Sequence, residues 1–201
     1  AWVHSKATKN VMFAGSSGSI SRTVCTTATS AFSPQSNFEL KDAIDEYLKL
    51  SPKGDCSDCQ YGPIGEWDVS RVTNMNAMFS DAKSFNGDIS KWDVSRVEDM
   101  SGMFNGAKAL SGDLSKWDVS SVADMSGMFQ NAAAFNGDLS KWAVSSVTDM
   151  NRAFKTATSF NGDISKWDVS RVTNMNRMFA SASFFNGDLS KWDVSSVTNM
   201  N

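Results

Sequence analysis

Apolar residues recur along this chain at a fixed period of 25. Trp67, Trp92, Trp117, Trp142, Trp167 and Trp192 mark it without one insertion. An aliphatic residue lies three positions before each tryptophan, from Ile64 to Leu189, and valines lie two and five positions after it. Around each tryptophan the stretch KWDVS alternates outward and inward residues, the period-2 pattern of a half-buried strand. Trp and Val are expected to face the core, with Lys, Asp and Ser in solvent. The period then changes. Met100, Met103, Phe104, Ala107 and Leu110 step by three, one, three and three, which predicts the buried side of a short helix. Met125, Met128, Phe129, Ala132 and Phe135 repeat it. Asn74, Asp99, Asp124, Asp149 and Asn174 precede the first methionine as helix N-caps. Asn-Gly-Asp turns such as Asn86-Gly87-Asp88 close each unit.

A strict period between 20 and 50 residues signals stacked units that bury a shared core. The expected fold class is therefore α/β: a leucine-rich-repeat-like solenoid of 25-residue strand–turn–helix repeats with a parallel sheet. Its rise would be about 4.8 Å per repeat. Units start near residues 61, 86, 111, 136, 161 and 186. Asn201 falls partway through the last, which leaves room for a continuation, and a start at Ala1 in place of Met reads equally as a processed, an engineered or a partial chain. Leu40, Ala43, Ile44, Tyr47 and Leu48 share one face of a predicted helix over 39–49, placed to cap the first repeat. The expected organisation is an extended arm over 1–37, a helical cap over 38–60 and repeats over 61–201.

The string FNGDISKWDVSRVTNMNRMF, residues 160–179, closely resembles the BspA-like leucine-rich repeats, a bacterial surface-protein repeat also known as the DUF285 region. The segment over 38–49 and the Tyr61-Gly62-Pro63-Ile64-Gly65-Glu66-Trp67 that follows resemble the start of the algal versions. The resemblance covers roughly residues 38–201. It implies a repeat platform for surface display, adhesion or protein binding, with no common ligand.

Composition narrows the chemistry more than it names it. Formal net charge is −3, with both signs interspersed, so neither a nucleic-acid groove nor a polybasic membrane patch is indicated. No apolar run approaches the roughly 20 residues of a transmembrane helix. One histidine, His4, and three cysteines leave no nucleophile–His pair and no metal cluster, and no glycine-rich phosphate loop is present. No catalytic residue, cofactor or metal is expected. Cys56 and Cys59 form a C-x-x-C that reads as a local disulfide staple, as two free thiols, or as a metal or redox site short of its partners. The methionine columns are core filling and not a metal or haem site.

The binding candidates are the columns on the predicted sheet face. Lys91, Lys116, Lys141, Lys166 and Lys191 stack at one position; Asp93, Asp118, Asp168 and Asp193, with Asp68, stack two residues on. Ala143 breaks the aspartate row where a partner side chain could pack. Interleaved Lys and Asp columns also serve simply as a soluble face whose charges offset each other. A second aspartate column, Asp88 to Asp188, fits Asp-x-Ser turns better than calcium ligation, which wants six to eight oxygens. Residues 1–38 lack Asp and Glu and are rich in Ser and Thr, a composition like an organelle transit region. They suggest an arm docked on a partner or back along the repeats. Two functions follow. One is a non-enzymatic protein-binding scaffold or adhesion module at the cell surface. The other is a structural subunit of a larger assembly, such as an algal photosynthetic membrane complex in the plastid or thylakoid lumen, held peripherally through the arm.

Overall fold

A computed structural model describes residues 31–57 and 59–201. The expected arm over 1–37 lies outside the described residues up to position 30.

One α-helix forms, α1, Asn37–Leu50. Ser36 caps it, its hydroxyl accepting the Glu39 amide at 3.2 Å, and the Glu39 carboxylate accepts the Gln35 amide at 2.8 Å in return. Leu40, Ala43, Ile44 and Tyr47 are its buried face. The cap closes on the first tryptophan. Tyr47, Tyr61 and Phe32 place rings 5.5, 5.9 and 5.1 Å from Trp67, all edge-on. The Asp68 amide donates to the Phe32 carbonyl at 2.8 Å, so the residues just before α1 are tied to the first coil. Cys56 and Cys59 are joined by a disulfide beside the cap, and the Tyr47 hydroxyl donates to the Cys56 carbonyl at 2.9 Å.

From residue 64 onward the chain is not an α/β solenoid with a parallel sheet. Among the described residues there is one α-helix, one 3-10 turn (Ile64–Glu66) and a row of isolated parallel bridges, with no sheet. The bridges join Asn74, Asp99, Asp124, Asp149, Asn174 and Asn199 in succession, at the positions expected to cap helices. Both predicted repeat elements are replaced by turns.

The predicted helix fails because its amides are divided between two tasks. In the first coil, Met78, Ser80 and Ala82 donate to carbonyls three residues back. Met75, Ala77, Phe79 and Asp81 instead donate across to Asp99, Ser101, Met103 and Asn105 of the next coil, at 2.7–2.9 Å. An α-helix would point every amide along its own axis. Here the chain turns every few residues through left-handed positions: Ala77 and Asp81, then Gly102 and Gly106, then Gly127 and Asn131, all with φ between +53° and +76°. Apolar residues three, one and three apart face inward on such a coil as well as on a helix.

The predicted strand fails for a related reason. Its in–out alternation holds: Trp92, Val94 and Val97 are buried, while Lys91 and Asp93 are exposed. Its backbone, however, is folded into turns, with the Trp92 amide on the Ile89 carbonyl and the Val97 amide on that of Val94. On this side the coils are linked by indole N–H groups. Trp92 Nε1 donates to the Ile64 carbonyl at 2.9 Å, and Trp117, Trp142, Trp167 and Trp192 do the same to Ile89, Leu114, Leu139 and Ile164. Each of these carbonyls also accepts its own coil's tryptophan amide, so both lone pairs are used.

The core is a set of columns. Phe79, Phe104, Phe129, Phe154 and Phe179 stack 5.4–5.7 Å apart. Trp142, Trp167 and Trp192 stack at 6.4 Å with nearly parallel rings. Of the methionines expected in the core, Met75 to Met175 and Met78 to Met178 are buried, whereas Met200 in the last coil is 57% exposed.

Candidate binding faces

Three short turns per coil set the solvent surface. In each, an Asp or Asn side chain accepts the amide two residues on, which bends the backbone locally. Asp88, Asp113, Asp138, Asp163 and Asp188 accept the amides of Ser90, Ser115, Ser140, Ser165 and Ser190 at 2.9–3.0 Å, as the Asp-x-Ser reading expected. Asp68, Asp93, Asp118, Asp168 and Asp193 do likewise with Ser70, Ser95, Ser120, Ser170 and Ser195, at 3.0–3.2 Å. The third set is Asn74, Asp99, Asp124, Asp149 and Asn174. The aspartates read as a strand-face row are therefore turn residues, exposed but committed to the backbone.

These bonds act on the carboxyl groups. At Asp68 and Asp168 the Ser70 and Ser170 hydroxyls, followed by the amides, hold the carboxyl below its ordinary range. The same downward shift holds at Asp88, Asp113, Asp118, Asp138, Asp163, Asp188 and Asp193, from the serine two residues on. Ala143 is exposed and offers no acceptor, so the Ser145 amide lacks the turn that its equivalents make.

The lysines are differently placed. Lys91 pairs with Glu66, which occupies the lysine position of the first coil, at 2.7 Å. Lys116, Lys141, Lys166 and Lys191 are exposed, and among the described residues none has a carboxylate within ion-pairing distance. The structure thus brings the row together one lysine per coil, on a backbone fixed by turns above and below it. Sequence reasoning missed the indole-to-carbonyl links and the left-handed positions. Gly102 and Gly106, four residues apart inside a predicted helix, were the available signal, since two glycines there oppose a helix.

The family model described as "Mycoplasma protein of unknown function, DUF285" matches residues 53–150 and 137–201. The chain belongs to the DUF285 family. No curated protein matches this DUF285 chain, and no solved structure does. None of its described helices is long and apolar enough to cross a membrane.

Proposed function

We propose that this DUF285 chain is a non-enzymatic protein-binding platform whose contact face is the row Lys116, Lys141, Lys166 and Lys191. The observation that carries it is a division of labour among the polar side chains. The aspartates and serines around each tryptophan are spent on turns, whereas these four lysines are exposed on a fixed backbone and, among the described residues, have no carboxylate within ion-pairing distance. Such a row offers cations at regular intervals to a protein surface carrying carboxylates. Preorganisation lowers the ordering cost of binding, although each exposed pair contributes little alone. Ala143 sits beside Lys141 and gives a side chain room to approach.

The test is affinity capture with the whole chain and with Lys116→Glu/Lys141→Glu, followed by reconstitution with the purified captured protein. The reading expects binding to fall by about tenfold or more in the variant, with an unchanged circular dichroism spectrum. Equal binding by both proteins would remove the lysine row from consideration.

A further inference from the structure

A second charged surface lies on the opposite stretch of the coil, where the sequence was read as helix. The left-handed position two residues after each first core methionine is Ala77, Gly102, Gly127, Arg152 and Arg177 in successive coils. Gly102 and Gly127 suit it, because a residue without a Cβ takes positive φ freely. Arg152 and Arg177 hold φ of 56° and 54° there. A left-handed conformation costs an L-residue roughly 1–2 kcal/mol. The two arginines are also stacked, for the Arg152 amide donates at 2.9 Å to the Asn176 carbonyl, the peptide group leading into Arg177. Lys155 is one turn further on, its amide bonded to the Arg152 carbonyl at 3.0 Å.

No acidic residue of the same two stretches offsets this charge: no Asp or Glu occurs over residues 150–162 or 175–187. The carboxylate nearest in sequence, Asp149, is already engaged by the Asn151 amide at 2.7 Å and the Asn174 side-chain amide at 2.9 Å. Among the described residues neither arginine has an ion-pair partner, and both are exposed. Two like charges stand one coil apart, at a left-handed position where two sister coils use glycine and the first uses Ala77.

We propose that Arg152, Lys155 and Arg177 form a docking surface for a short acidic polypeptide segment carrying two or three carboxylates. Arginine forks match carboxylates with paired N–H donors, which a lysine row cannot do. Three cations in two coils suit a short segment. A dense polyanion such as a sulfated glycan would span further and meet the aspartates of the neighbouring turns, on a chain already at −3. The surface is separate from the lysine row, and its fate does not decide that of the row.

The probe is a fluorescein-labelled peptide of four Glu-Ser repeats, titrated by anisotropy against the whole chain. A Gln-Ser peptide and a heparin-derived hexasaccharide serve as rivals. Arg152→Gly/Arg177→Gly places in these coils the residue that Gly102 and Gly127 already supply. It is expected to melt at the same or a higher temperature while binding the Glu-Ser peptide about tenfold or more weakly. Arg152→Lys/Arg177→Lys keeps the charge and loses the forks, and is expected to fall between. Lys116→Glu/Lys141→Glu is expected to bind the peptide as the parent does. The proposal is overturned if the glycine variant binds undiminished, if the Gln-Ser peptide binds equally, if only the hexasaccharide binds, or if the loss follows the lysine changes instead.

Discussion

At the scale of single residues, two positions depart from the pattern of their sister coils in opposite ways. Ala143 removes an acceptor. Ala143→Asp would give the Ser145 amide the turn that Ser120 and Ser170 have, and a thermal midpoint about 2–4 °C higher is expected by differential scanning calorimetry. Thr156 instead adds strain. It is β-branched at φ 58°, where Gly106 stands two coils earlier. Thr156→Gly keeps the amide bond to the Ala180 carbonyl and relieves the side chain. Relief of roughly 1–2 kcal/mol exceeds the 0.4–1 kcal/mol that a freer unfolded chain takes back, so urea denaturation should show a net gain of about 0.5–1 kcal/mol. Both positions could be found by laying the repeats over one another. Neither sign could be assigned from sequence while the surrounding segments were read as strand and helix.

At the scale of the coil, the tryptophan does two jobs. It fills the column and its N–H ties its coil to the carbonyl 28 residues earlier. Trp117→Ala removes both, and a loss of about 3–5 kcal/mol is expected in urea denaturation. Trp117→Phe keeps most of the packing. The Ile89 carbonyl retains its bond from the Trp92 amide, so a smaller loss of about 1–2 kcal/mol is expected. Equal losses in the two variants would show that the indole N–H, and not the buried ring, holds adjacent coils together. The alternation in KWDVS revealed which side chains are buried. It did not reveal that hydrogen bonds between coils pass through the indole, because a period-2 pattern fixes only the direction of side chains.

At the scale of the whole molecule, nine turn aspartates share one titration behaviour. A carboxyl held below its ordinary range when folded binds its proton more weakly than in the unfolded chain. Its stabilising contribution is therefore complete above the unfolded value, near 4, and is lost as pH falls through the lower folded value. Melting temperature should be nearly level from about pH 7 to 5 and drop steeply below about pH 4. Replacing Asp88, Asp113, Asp138 and Asp163 together by Asn keeps an acceptor in each turn while removing four titrating groups, and should flatten that drop. A profile identical to the parent's would place the acid sensitivity elsewhere. The coils also differ in protection. Trp67 is covered by three rings, whereas Val194 and Met200 are 42% and 57% exposed. Amide exchange should accordingly be slowest in the coils over 89–172 and fastest over 186–201.

By itself the sequence determined the period, the buried set of the inner coils, the capping helix and the Asp-x-Ser turns of the Asp88 column. Each depends on local spacing or on a side chain bonding its own backbone. Only the tertiary structure decided the backbone between those points. Residues such as Met75, Met78 and Phe79 bury equally well on a helix or on a chain of left-handed turns, and the choice rests on where the intervening amides bond. Once a neighbouring coil offers carbonyls to Met75, Ala77, Phe79 and Asp81, those amides no longer point along a helix axis. The same stacking bonds the Arg152 amide to the carbonyl just before Arg177, the two arginines being 25 residues apart in sequence and on adjoining coils in the fold.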